Sequence, residues 1–204
     1  MAMGVALKFE DMADLAPLTL TVPGLDEKGF LQWCERFPDC LLEYSAEGEL
    51  SIMPPTEDDT SDRNAEIIRQ LGNWAIGDGR GKARGSSGGF RLPDGSRLSP
   101  DAAWVSIDRK KSSRQPGVAF PVMVPEFIIE LKSSSDRVNK LAEKMEVFIA
   151  NGVKLGWLLD PYKRTVTIYR PRRKPETLLN PKTVKGEGPV AGFVLDLEPI
   201  WNLD

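Results

Sequence analysis

Two carboxylates and a lysine stand at positions that could converge as a site for a hard divalent cation beside an ammonium. Glu130 and Lys132 close the segment EFIIELK at residues 126–132, and Asp101 follows Pro100 at the head of a second apolar stretch, AAWVSI at 102–107. Phe127, Ile128 and Ile129 predict a strand buried on both faces. Side chains alternate along a strand, so Glu130 and Lys132 emerge on one face and Leu131 on the other. Charges at the end of a buried strand are costly unless something uses them. If the two strands are neighbours, Asp101, Glu130 and Lys132 converge. Magnesium takes oxygen ligands from few side chains and keeps several waters; Asp101 and Glu130 offer carboxylates, and the Leu131 carbonyl is a natural third ligand. Taken singly, each residue has a plainer reading: Glu130 and Lys132 as a surface ion pair, Asp101 as part of a Ser-Pro-Asp turn.

The elements that must position these residues follow from periodicity and turn signals. Residues 1–24 read as a loosely held lead-in, and residues 25–204 as one domain. Asp26 caps a helix over 27–37, with Phe30, Leu31, Cys34 and Phe37 at helical spacing. Residues 41–45 and 49–53 form a hairpin around Ala46-Glu47-Gly48. A helix over 62–76 presents Ile67, Ile68, Leu71, Trp74 and Ala75 on one stripe and stops at Gly77. The glycine-rich stretch 77–89 reads as a flexible hairpin or loop. It fails as a Walker A loop, because Ala83 follows Gly81-Lys82, and its formal nucleophile elbow around Ser87 has no histidine to serve it. Asp94-Gly95 signals a hairpin between 89–92 and 97–107, which places the Asp101 strand antiparallel to its predecessor. Residues 109–117 read as an exposed basic loop. Ser133 to Asp136 cap a helix with Val138, Leu141, Met145, Phe148 and Ile149 buried, stopped by Asn151-Gly152. Strands at 155–159 and 166–169 flank an Asp160-Pro161 turn, and the chain beyond Pro171 is less regular. The order predicts an α/β domain with a mixed central β-sheet flanked by helices.

Composition narrows the chemistry. The 204 residues are 41% hydrophobic and 28% charged, as in a globular protein. No apolar run is long enough to span a bilayer and no secretory signal is evident, so the expectation is a cytoplasmic protein with no membrane partner. There is no histidine, which removes histidine-ligated zinc and Ser-His-Asp catalysis together. Cys34 and Cys40 alone make neither a disulfide framework nor a zinc site. The net charge of −3 hides an asymmetry: residues 1–62 carry 14 acids and 3 bases, residues 63–204 carry 16 acids and 24 bases. The basic clusters are Arg80/Lys82/Arg84, Arg109-Lys110-Lys111/Arg114 and Arg170/Arg172-Arg173-Lys174. Such clusters can follow a phosphate backbone, or be solvated loop tips.

Pro100-Asp101 followed by Glu130-Leu131-Lys132 resembles the PD-(D/E)XK signature of restriction-endonuclease-like nucleases. GELSIMPPT at 48–56, RLSPDAAWV at 97–105, PEFIIELKSSSD at 125–136 and GVKLGWLLDP at 152–161 occur in the order found in the Uma family of bacterial endonucleases. The resemblance runs from about Leu41 to the C-terminus. It implies a restriction-endonuclease-like core and a magnesium-dependent endonuclease acting on DNA, with manganese as a substitute, RNA not excluded, and a homodimer or higher homo-oligomer. The catalytic residues would be Asp101, Glu130 and Lys132, the lysine positioning or deprotonating the attacking water. Lys144 falls where such relatives place a lysine, on a basic stripe with Arg137 and Lys140. Glu43 precedes the Gly-Glu-Leu turn where the family carries a glutamate, and Glu66 lies where superfamily members place an acid; both are auxiliary candidates. Lys140, Arg172, Arg173 and Lys174 are the candidate nucleic-acid contacts. Thr60 replaces the histidine that the family often has after Pro-Pro-Thr. A second class of function stays open: a nuclease fold with weak catalysis, binding nucleic acid or a protein partner.

Overall fold

A computed structural model describes residues 18–116, 118 and 121–203. The described chain divides into two compact units, one reaching Pro55 and including Gly95–Leu98, the other formed by Thr56–Asp94 and Ser99 onward.

The first unit contains β1 (Leu18–Thr21), α1 (Glu27–Arg36), β2 (Leu41–Tyr44) and β3 (Glu49–Met53), joined by β6 (Arg97–Leu98); β4 (Gly81–Gly85) and β5 (Phe90–Arg91) belong to the second unit. Asp26 caps α1 as expected, accepting the Gly29 N–H at 2.7 Å. The β2–β3 hairpin forms with Gly48 at φ +94°, a conformation that glycine adopts without steric cost. Leu42, Tyr44, Leu50, Ile52 and Phe37 make the core. The lead-in expectation is corrected for residues 18–21, which pair with β3 as β1; residues 1–17 lie outside the described residues.

The second unit is built on a six-stranded sheet. Its chain order is α2 (Asp58–Asp78), β4 (Gly81–Gly85), β5 (Phe90–Arg91), β7 (Ala102–Ser106), α3 (Ile107–Ser112), β8 (Phe127–Leu131), α4 (Val138–Ala150), β9 (Leu155–Asp160), β10 (Thr165–Tyr169), β11 (Glu176–Leu179), β12 (Thr183–Lys185), β13 (Val194–Asp196) and α5 (Glu198–Trp201). The sheet order is β11-β10-β9-β8-β7-β4. Only β8 and β9 run parallel, with α4 as their crossover; the other pairs are antiparallel. Phe127, Ile129 and Leu131 join the core that Ile67, Leu71 and Ala75 of α2 help to form. Ile128 points the other way, where Met145 of α4 lies over Gly156. Helices thus cover both faces, which is why β8 is buried at every position. Among the described residues no helix is long and apolar enough to cross a membrane.

Several expectations change. The strand beside β7 is β4, from the stretch read as a flexible hairpin or loop, and not residues 89–92. Glycine is needed there because a Cβ on Gly81 would lie 2.4 Å from the Trp104 ring. The helix expected over 62–76 begins a turn earlier and runs through Gly77 to a left-handed Gly79. Residues 107–112 form α3, capped by Ser106, where a strand end at 107 and a basic loop from 109 were expected. In α4 the N-cap is Arg137 and Val138 is exposed; Asp136 instead accepts hydrogen bonds from the N–H and hydroxyl of Ser133. Beyond Pro171 the chain is more regular than expected, supplying the edge strand β11 and the β12–β13 ribbon.

Candidate active site

The β7–β8 ladder pairs Ala102 with Ile129. One step further, Asp101 stands across from Glu130, where antiparallel partners present side chains to the same face. The Asp101 carboxylate accepts the Leu131 N–H at 2.8 Å and the Asn64 amide of α2 at 3.1 Å. Part of the Asp101 residue remains accessible, yet packing around its carboxyl raises the pKa by desolvation. The Leu131 N–H, the Lys144 charge and the Asn64 amide act against that rise, and Asp136 adds to it.

Glu130 is 2% exposed. Its carboxylate meets the Lys144 ammonium at 2.9 Å, and that ammonium also donates to the Ser99 carbonyl at 3.0 Å. Lys144 reaches down from α4 because Ile128 and Glu130 share the face that α4 covers. One ammonium therefore serves two carboxylates, ion-paired to one and exerting its field on the other. Among the described residues no group of three or more His, Cys, Asp or Glu is placed to hold a metal ion.

Lys132 continues the parallel ladder by one bond, its N–H donating to the Leu159 carbonyl at 2.8 Å. Its ammonium donates to the Ser133 carbonyl at 2.7 Å and lies 4.7 Å from the centre of the Tyr162 ring. Those contacts hold it at the end of β8, with the carboxylates engaged by Lys144 instead. Tyr162 sits in the turn after β9, positioned by an Asp160 carboxylate that accepts the Tyr162 and Lys163 N–H groups.

The other predicted residues are distributed more widely. Glu66 is bound by Arg69 through two bonds, 2.8 and 2.6 Å, and by Gln70; the Arg69 hydrogen bond leads in lowering its pKa. It lies two residues, about 200° of helix, from Asn64. Glu43 is buried in the first unit, on β2 across from Ser51. The stripe of Arg137, Lys140 and Lys144 does not act as one set: Lys140 pairs with Glu143 at 2.9 Å, while Lys144 turns to Glu130. Arg172, Arg173 and Lys174 are exposed between β10 and β11, and Arg170 is ion-paired to Glu176 and Glu187. Sequence reasoning missed Asn64, the Ser99 carbonyl and Tyr162. Asn64 was the findable one: it is four residues from buried Thr60 and three from buried Ile67, a polar residue on the inward side of α2.

The likeness to solved structures includes one described as the crystal structure of a putative nuclease belonging to DUF820 from Anabaena variabilis ATCC 29413. It superposes with a TM-score of 0.68 at 20% identity, covering 78% of this chain and 89% of that one. At that identity the match concerns the fold. A DrdV–DNA complex solved by electron cryomicroscopy aligns with a TM-score of 0.37 and 13% identity, over 57% of this chain and 10% of that one. No curated protein matches. Residues 28–198 match the model of the Uma2 family, described as "Putative restriction endonuclease", and the chain belongs to that family.

Proposed function

We propose that the second unit hydrolyses DNA phosphodiester bonds, with magnesium (or manganese in its place) held by Asp101, Glu130 and the Leu131 carbonyl. Family membership supports a nuclease-like function; the DNA substrate and the metal are the finer reading. The observation that carries it is the pair of carboxylates at adjoining strand ends sharing one ammonium. Their donor set also fits: hard oxygens, two of them from carboxylates, as magnesium prefers. A strand residue's N–H and C=O point to the same side, so the Leu131 N–H that meets Asp101 implies a carbonyl directed there too. When bound, such an ion lowers the pKa of the attacking water and stabilises the departing oxygen.

The chain's own residues would do the rest. Asp101 is oriented by Leu131 and Asn64, so its carboxylate is set before substrate arrives. Lys132 would leave the Ser133 carbonyl to orient the water and offset charge on the phosphorane. Lys144 would pass from Glu130 to a phosphate oxygen. A second reading, a binding module with weak catalysis, is favoured by one observation: both lysines are engaged within the protein.

Plasmid nicking with magnesium or manganese decides between them. Glu130→Gln and Lys132→Met should each reduce cleavage by about 100-fold or more, while duplex binding in chelator changes little. Calorimetric titration should show metal binding lost in Glu130→Gln and kept in Lys132→Met. If both variants nick as fast as wild type, the site assignment fails. Wild type that binds DNA and metal but cuts no DNA or RNA establishes the binding module.

A further inference from the structure

A second basic feature of the same unit lies beside this cluster. A cavity of about 550 Å³ opens between the loop joining β4 to β5 and the end of α3. Arg84, Arg91, Lys110 and Arg114 line it, and none of its lining residues is acidic. These cations come from four places in the chain: β4, β5, α3 and the turn after α3. Arg84, Lys110 and Arg114 have no carboxylate partner among the described residues. Arg84 is the most constrained. Its guanidinium lies 5.5 Å from the centre of the Phe90 ring, and burial pushes its pKa down without an acid to offset it. A partly desolvated guanidinium held against an aromatic ring is a ready planar donor for a phosphate.

Position relates the cavity to the carboxylates. The β4–β7 register pairs Gly85 with Ala102, so the chain leaving β4 passes the segment just before β7. Gly89, in the cavity wall, lies so close to Ser99 that an added Cβ would be 3.0 Å from the Ser99 hydroxyl oxygen. The Ser99 carbonyl in turn accepts from Lys144. Ser99 thus links the cavity wall to the lysine that meets Glu130.

We propose that this cavity is a subsite for the phosphodiester backbone of one nucleic-acid strand, holding phosphates that flank the bond to be cut. The placement of the cut bond rests on the nuclease reading above; the binding of backbone does not. The volume falls within the roughly 300–1,000 Å³ of small-ligand sites, so the cavity takes a short piece of one strand and not a duplex. Four cations and no acid line the cavity, so its contacts suit the phosphate backbone.

The test is binding of fluorescent single-stranded DNA and RNA oligonucleotides of mixed sequence, in chelator so that nothing is cut. Arg84→Gln with Arg114→Gln should weaken binding by about tenfold or more, since both remove charged donors to phosphate. The slope of log affinity against log salt should become shallower by about 1.4, two phosphate contacts at about 0.7 each. The triple change Arg172→Gln, Arg173→Gln and Lys174→Gln, which removes more charge, should do less. Arg84→Lys should recover part of the loss, and unchanged thermal midpoints would exclude misfolding as its cause. Equal loss from the triple change, or an unaltered salt slope, overturns the subsite. The two oligonucleotides decide whether the 2′-hydroxyl matters, and equal affinity agrees with a backbone site. Pocket-dependent binding in a protein that never cuts would sink the nuclease reading and leave the subsite standing.

Discussion

Lys144 is the residue on which the electrostatics of the candidate site turn. With its ammonium 2.9 Å from a carboxylate that is 2% exposed, Lys144→Met leaves Glu130 buried without that counter-charge. Removing one partner of a buried pair costs about 3–5 kcal/mol, whereas replacing both can be nearly neutral. Chemical denaturation in chelator should show that loss in Lys144→Met and recovery of most of it in Lys144→Met with Glu130→Gln; additive losses would mean the pair is not coupled. Asp101 gives a pH signature of opposite origin. Its pKa is raised in the fold, so the folded state favours the protonated form. That contribution is complete below the unfolded pKa, about 3.9, and is lost as pH rises through the higher folded value. Asp101→Asn removes the titration, and the Asn64 Oδ1, buried without a hydrogen-bond partner, can accept from the new amide. Thermal midpoints in chelator should therefore move in the variant's favour between pH 4 and neutrality. A constant difference across that range would contradict the assignment.

At the scale of elements, two glycines set how closely chain packs around the site. A Cβ on Gly156 would lie 2.5 Å from the Met145 methyl and 3.3 Å from Ile128. Because α4 carries both Met145 and Lys144, Gly156→Ala should cost about 1–3 kcal/mol and loosen the lysine's hold on Glu130. Gly81→Ala should cost more, since its neighbours are an indole ring at 2.4 Å and the Val105 carbonyl at 2.6 Å, neither of which can swing aside like a methionine tip. Denaturation midpoints compare the two directly, and the reverse order would refute the argument. The same glycine explains why β4 escaped the sequence reading: a residue chosen to admit Trp104 has the composition of a loop. By contrast β8 was legible, because Phe127, Ile128 and Ile129 are apolar on both faces and only a sheet covered on both sides asks for that. The helix α3 was hidden by its brevity and by Arg109, Lys110 and Lys111, which carry no apolar stripe. Of the site, the carboxylates were readable from spacing. Their engagement by Lys144, and that of Lys132 by Ser133 and Tyr162, depends on chain folded back from elsewhere and left no local pattern.

For the whole molecule, the division into two units makes a prediction about cooperativity. The chain has five tryptophans. Trp33 belongs to the first unit, while Trp74, Trp104, Trp157 and Trp201 belong to the second. If each unit unfolds with its own core, denaturation followed by fluorescence in wild type and in Trp33→Phe should give midpoints that differ, the variant reporting the second unit alone. Superimposable transitions by fluorescence and by circular dichroism would instead indicate one cooperative unit.

The strand β6 gives the first unit a dependence on the order of manufacture. A ribosome delivers roughly 5–20 residues per second, so β1, α1, β2 and β3 emerge well before Arg97, which pairs with Tyr44 of β2. Until then β2 has one bare edge, and the intervening length, including all of α2 and β4, belongs to the other unit. A bare edge invites pairing with another nascent chain. Pausing of translation between residues 55 and 98 would prolong that interval, making codon choice in this stretch a determinant of soluble yield.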